Sequence, residues 1–176
     1  PLGQYHWFGG DGMVHAFHFE NGKVSYLNRW SKTSKWQQER KAGKSLIDGL
    51  NPMNSDPQWD PKGEDGTANT NIVFHAGKLL ALEEGHVPFE LDPITLESKG
   101  AYDYGGKLKS PMTAHPKIDP ISGDMYGFSY TAENFFSSKM SYFVINSQGE
   151  LKTYEEFEAP FASMVHDFMV TDQHII

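Results

Sequence analysis

The stretch SPMTAHPKIDPISGDMYGFSY, residues 110–130, runs a histidine straight into a proline, turns on Asp119-Pro120 and returns as a second apolar run over 125–130. Proline presets φ for the first corner of a type I turn, and an aspartate side chain closes an Asx turn beside it. The stretch therefore reads as two antiparallel strands, the first carrying His115. The same turn chemistry stands 27 residues earlier as Asp92-Pro93-Ile94-Thr95, between runs at 89–91 and 96–102. Runs at 73–75 and 79–83 flank Ala76-Gly77-Lys78, and runs at 142–145 and 151–157 flank Asn146-Ser147-Gln148-Gly149. From Ile72 onward the pattern is antiparallel strands rather than helices. The two Asp-Pro turns read as a weak repeat of β-meander units, which favours a propeller or a stacked β-array over a sandwich.

Residues 35–66 depart from this pattern. They are polar, rich in Asn, Asp, Pro and Gly, and helix-compatible only over 36–42. They read as a long loop excursion from the β scaffold, the kind of segment on which binding residues concentrate.

With 176 residues the chain is long enough for one domain that buries roughly 70% of its extended surface. It opens on proline, not methionine, and its last residues, Gln173-His174-Ile175-Ile176, read like the start of a strand, so a piece of a longer protein is expected. Fifteen basic residues against 23 acidic ones give a net charge of −8, with no Lys/Arg stripe. That excludes a nucleic-acid partner. The absence of cysteine excludes disulfides, thiolate catalysis and cysteine-based zinc sites, so any metal must be held by His, Asp or Glu. No apolar run of about 18 residues and no leader is visible, and a cytoplasmic location is expected. The aromatic share of 14% suits a β-rich core or a pocket for flat apolar molecules.

The eight histidines differ in context. His6 and His15 frame Gly9-Gly10-Asp11-Gly12, which reads as a turn, because a phosphate-binding glycine loop needs a following helix and none is suggested. His18, His75, His86 and His174 lie beside turns or on alternating strands, where a solvated or hydrogen-bonded structural role is the default. His115 in TAHPK and His166 in MVHDF each read as lying in a mostly apolar strand. A ring flanked by Met164, Val165 and Phe168 would lose contact with water and need a carbonyl, a carboxylate or a metal as partner. The 51-residue separation matches no compact zinc spacing. In a propeller, however, inner strands of successive blades bring residues about 50 apart to one axis.

TAHPKIDPISGDMYGFSY (113–130) and APFASMVHDFMVT (159–171) resemble two hallmark segments of the carotenoid cleavage oxygenases, which include lignostilbene dioxygenases and the retinoid isomerase of the pigment epithelium. YHWFGGDGMVHAFHFENGKVSYLNRW (5–30) and NTNIVFHAGKLLALEEGHVPFELDPITLES (69–98) are similar to the family's earlier blocks, so the likeness runs over nearly the whole chain.

The resemblance implies an all-β fold, a seven-bladed β-propeller of which residues 1–176 form about three blades of a single partial domain. It implies Fe(II) on the axis held by four histidines, with His115 matching the first and His166 the second, and the other two lying beyond Ile176. Glu84 matches the first of the family's histidine-orienting glutamates and is expected to support one of the missing ligands rather than His115. Glu83 stands where lignostilbene cleavers tend to have lysine and many carotenoid cleavers tryptophan, which weighs against a phenolic substrate. The implied activity of the parent is cofactor-free, Fe(II)-dependent splitting of a conjugated C=C bond of a carotenoid or apocarotenoid with O2, giving two carbonyl products. The alternatives are cleavage of a stilbene-like phenylpropanoid on the same fold, and a non-catalytic ligand-binding propeller. With two of four ligands, this chain alone is expected to hold iron poorly and be inactive. Family members often touch the bilayer through an apolar patch; none stands out here, and Phe135-Phe136 is too short to be one.

Overall fold

The structure, a computed structural model, describes residues 7–48, 51–63, 65–134 and 137–176. A 3-10 turn at Trp7–Gly9 leads into strands β1 (Met13–Glu20) and β2 (Lys23–Trp30), which pair as a hairpin. Helix α1 (Ser34–Ala42) and the short pair β3 (Ile47–Asp48) and β4 (Asn51–Ser55) follow. The rest of the chain builds two four-stranded antiparallel meanders. The first comprises β5 (Asn71–His75), β6 (Lys78–Leu82), β7 (Phe89–Leu91) and β8 (Ser98–Ala101). The second comprises β9 (Lys117–Ile118), β10 (Met125–Ser129), β11 (Lys139–Ile145) and β12 (Leu151–Glu158).

Turn chemistry sets the pairing. Ala76 and Gly77 both take positive φ (48° and 77°), as do Asn21 and Gly22 (50° and 73°). Two consecutive left-handed residues form the primed turn whose twist matches that of the strands it joins. Asp92 Oδ1 accepts from the Ile94 and Thr95 amides, and Asp119 Oδ1 accepts from Ile121 and Ser122, so both Asp-Pro turns form as Asx turns. Their 27-residue spacing is nevertheless not the structural repeat. The Asp92 turn joins the third and fourth strands of one meander, whereas the Asp119 turn joins the first and second of the next. What recurs is the whole sheet, from Asn71 to Lys117, 46 residues on.

The meanders stack through their faces as propeller blades do. On β6, alternate side chains point to opposite sides. Leu80 and Leu82 join Tyr104, Leu108, Met112, Ala114, Met125, Phe143 and Ile145 in the seam toward the second blade. Ala81 faces the other way, with Val14, Ala68, Phe89, Leu91 and Leu96 in the seam toward the β1–β2 hairpin. Buried on both faces, β6 belongs to a middle blade. Two four-stranded blades, the β1–β2 hairpin and the short β3–β4 pair thus make up the sheets among the described residues.

An up-and-down meander also sorts its connections by end. The turns at 76–77, 92–97, 119–124 and 146–150 lie at one end, tied together by the His75 Nε2 contact to Gly123 O (2.9 Å) and the Ser147 amide on Asp124 (3.2 Å). The longer connections, 83–88, 102–116, 130–138 and 159–169, lie at the opposite end.

The 35–66 excursion is more ordered than a loop, since it contains most of α1 and the β3–β4 pair. Thr33 caps α1 by accepting from the Trp36 amide, and Gly43, at φ 67°, ends it with its amide on Glu39 O. Lys35, nearly buried, joins Asp11 (2.8 Å) to Glu39 (3.0 Å), and Glu39 also accepts from the Leu46 amide (2.7 Å). Gly9-Gly10-Asp11-Gly12 leads into a strand rather than a helix, but as the end of a 3-10 turn, a bend and an extended link instead of the expected tight turn, and Asp11 anchors a lysine.

Burial pulls the Lys35 ammonium down, but Asp11 and Glu39 outweigh it and hold the pKa above the ordinary lysine value. Burial likewise pushes Glu39 up, but the Leu46 amide and Lys35 prevail and hold it low. Glu39 thus contributes stability in full above the ordinary carboxylate range, and loses it as pH falls through its lowered value; Lys35 contributes in full below the ordinary lysine value, and loses it as pH rises through its raised one. Thermal unfolding of the full-length protein between neutral pH and about pH 3 should show an acid loss that Glu39→Gln reduces, the substitution itself costing about 1–3 kcal/mol at neutral pH. An unchanged acid limb would assign the acid sensitivity to other carboxylates.

Among the described residues no helix is long and apolar enough to cross a membrane. The Phe135-Phe136 pair and His6 lie outside the described residues.

Candidate metal centre

The site lies at the end of the blades that carries the long connections. Residues 102–116 cross from β8 to β9, with Met112 and Ala114 fully buried in the seam. The Met112 amide donates to His86 O, the Thr113 amide to Phe128 O, and Asn71 Nδ2 to Ala114 O. The backbone is thus tied to both blades just before His115, whose own amide donates to Thr113 Oγ1 (3.1 Å). His166 comes from the connection after β12. The next residue but one, Phe168, is buried edge-on against Phe128, with ring centroids 4.8 Å apart. Asp167 accepts from Lys117 Nζ (2.6 Å) and the Phe168 amide (2.8 Å), and Lys117, the stronger influence, holds its carboxyl below the usual range.

These two segments bring His115 Nε2 and His166 Nε2 to 3.0 Å, the rings inclined at 72°. His166 Nδ1 contacts Glu84 Oε2 at 2.9 Å. Glu84 comes from the β6–β7 connection and also accepts from the Tyr130 hydroxyl, whose pKa is driven upward by burial first and by the Glu84 charge second, so it stays a donor. A carboxylate on Nδ1–H fixes the tautomer and leaves Nε2 as the free lone pair. Two imidazole nitrogens this close could ligate one ion, and neutral imidazoles suit Fe(II) as they suit zinc and copper. Among the described residues, no group of three or more His, Asp or Glu side chains could hold a metal ion, and His115 and His166 come together as a pair.

Three expectations change. His115 and His166 do not lie in strands: His115 occupies a bend before β9, and His166 an extended segment without strand partners. Their rings are not buried by the flanking apolar residues, since the His166 side chain is 54% exposed and Met164 66%, and only Phe168 turns inward. Glu84 reaches a histidine within the chain: it lies on Nδ1 of His166, which its position across the blade seam brings within reach. Glu83 turns instead to His86 and to the Gly85 amide. Sequence reasoning missed Tyr130 and the Lys117–Asp167 pair, although both lie within the quoted hallmark segments.

The model of the retinal pigment epithelial membrane protein family matches residues 1–176. The chain is 42% identical over 172 residues to lignostilbene-α,β-dioxygenase isozyme III of Sphingomonas paucimobilis, covering 97% of this chain and 35% of that protein. It is 43% identical over 173 residues to isoeugenol monooxygenase of Pseudomonas nitroreducens, covering 96% of this chain and 36% of the relative. Among solved structures, the lignostilbene dioxygenase of Pseudomonas brassicacearum superposes with a TM-score of 0.91 at 41% identity, over 97% of this chain and 36% of that one. A cobalt-substituted apocarotenoid oxygenase of Synechocystis superposes at 0.74 with 31% identity, over 94% and 37%. The chain spans about a third of the length of these relatives. Matched along its whole length by the family model, and sharing blades and residues with these oxygenases, the chain belongs to the retinal pigment epithelial membrane protein family, the carotenoid cleavage oxygenases.

Proposed function

We propose that the full-length protein is a non-haem Fe(II) oxygenase that splits a conjugated C=C bond of an apolar substrate with O2, yielding two carbonyl products. The observation that carries the reading is the convergence of His115 Nε2 and His166 Nε2 at 3.0 Å, with Glu84 on the far nitrogen of His166. The cobalt-substituted relative supports a metal in this fold. His115 and His166 would hold the ion with ligands from outside this chain. Bound Fe(II) would supply activation of O2 for addition across the double bond. Glu84 keeps the Nδ1 proton on His166 and aims its Nε2 at the axis, while Tyr130 holds Glu84 in place. Chemistry of this kind needs no acid or base side chain beside the substrate, which fits a chain without a Ser/His/Asp set.

Of the two substrate classes, the stilbene-like phenylpropanoids are favoured over apocarotenoids. The relatives at 42% and 43% identity are named for lignostilbene and isoeugenol, and the lignostilbene enzyme superposes at 0.91 against 0.74 for the apocarotenoid enzyme. Glu83 does not oppose this choice as a lone negative charge would, because it is paired with His86. A cytoplasmic setting, with peripheral contact to a bilayer that stores apolar substrate, goes with this reading.

The test is turnover by the full-length protein loaded anaerobically with Fe(II), offered a hydroxystilbene and an apocarotenal in parallel, with O2 uptake and carbonyl products measured. Cleavage of the stilbene at least about tenfold faster in kcat/KM is expected, a difference of about 1.4 kcal/mol at the transition state. Preference for the apocarotenal would reverse the substrate assignment. Cleavage of neither by iron-loaded protein would leave the ligand-binding propeller.

A further inference from the structure

The two histidine segments are joined at a second point. Lys117 lies two residues after His115 on β9, Asp167 lies one residue after His166, and Lys117 Nζ reaches Asp167 Oδ1 at 2.6 Å. The same Oδ1 accepts from the Phe168 amide at 2.8 Å, and Lys117 Nζ stands 5.4 Å from the centroid of the buried Phe168 ring. His166 has no strand pairing to hold it, so this cluster and Glu84 are its side-chain anchors to the neighbouring blade. Glu84 sets the rotation of the His166 ring but contacts only its Nδ1, whereas the ion pair bridges the two backbones that carry the rings.

We propose that Lys117 and Asp167 are positioning residues that set the distance between the two histidine nitrogens across the blade seam, and so tune the affinity and geometry of the metal site. The inference rests on the metal-centre reading above. An exposed ion pair by itself contributes little to stability, and here the side chains are 35% and 54% exposed. Its role lies in register, because a slip of the 159–169 segment along β9 moves His166 away from His115 while leaving both blades folded. Lys117 keeps contact with both the Asp167 carboxylate and the Phe168 ring, which limits such a slip.

The experiment titrates Co(II) anaerobically into full-length wild type, Lys117→Arg, Lys117→Met, Asp167→Asn and the Lys117→Met/Asp167→Asn double variant, reading the dissociation constant and the visible Co(II) spectrum. Asparagine retains an oxygen for the Phe168 amide, so Asp167→Asn removes the charge while keeping that hydrogen bond. Lys117→Met and Asp167→Asn should each weaken Co(II) about tenfold and shift the ligand-field bands, with melting temperatures unchanged. Lys117→Arg should restore both, and the double variant should be no weaker than either single one, since the residues act as one pair. Wild-type affinity and spectrum in both single variants would overturn the proposal, as would losses that add in the double variant. A wild-type protein that takes up no Co(II) would overturn the metal-centre reading itself, a result separate from wild-type binding that the variants leave unaltered.

Discussion

Full-length protein carrying His166→Ala or His115→Ala, prepared anaerobically with Fe(II), is expected to retain no stoichiometric iron and to lose C=C cleavage, while wild type carries close to one iron per chain. Replacing a partner that only orients a metal-bound histidine typically weakens metal binding about 10- to 100-fold. Glu84→Gln, which keeps a hydrogen-bond acceptor toward His166 Nδ1 but removes the charge, should fall in that range. Loss of a ligand should exceed it, by more than about 100-fold. Elemental analysis of iron and O2 uptake measured on the same samples check this order. The 176-residue chain by itself, with two of the expected ligands, should bind iron weakly. Wild-type iron content in both histidine variants would remove these residues from the site, and iron in no form of the protein would favour the non-catalytic propeller.

The largest expected loss of stability comes from the blade seam. Phe143 is fully buried on β11 and lies across from Gly127 on β10, its ring running parallel to that of Tyr154 with centroids 6.4 Å apart. A Cβ on Gly127 would stand 2.3 Å from Phe143 Cε2, so the glycine is required by the ring that covers it. Phe143→Ala should cost about 3–5 kcal/mol through lost burial and a residual cavity. Gly127→Ala should cost about 1–3 kcal/mol through overpacking against the fully buried ring. Denaturant unfolding of the full-length protein at constant m checks both, and losses below about 1 kcal/mol would mean that the seam repacks. Because Met112 and Ala114 share this cluster with Phe143 and lead directly to His115, Phe143→Ala should also lower iron retention.

The strands after Ile72 were legible because each turn carries its own chemistry: Ala-Gly, Asp-Pro, and Asn followed by Gly. The β1–β2 hairpin was not singled out, despite its Asn21-Gly22 turn. Its outward positions are His15, Phe17 and Phe19, so apolar and aromatic residues occupy both faces and the alternation that marks a half-buried strand is blurred. The two histidines stood out through the family resemblance, while their spacing alone carried little. The Glu84–His166 contact joins residues 82 positions apart across a seam between blades, where no local pattern reaches. Burial of Lys35 was likewise unreadable, since Asp11 lies outside the helix that carries Lys35 and Glu39, and only the folded chain brings it to them.

The segregation of connections by length gives the molecule a working end and a handling end. Glu84, His115, Tyr130 and His166 all sit on the long connections, while Ile94 and Ile121 project from the short turns at the other end with 81% and 95% of their surface in solvent. A fluorophore, an affinity tag or a surface tether placed at either isoleucine would stand a full strand length from the histidines and disturb neither seam. Under the proposed oxygenase reading, the same geometry makes the long connections the place where new substrate preferences can be built without rebuilding the blades.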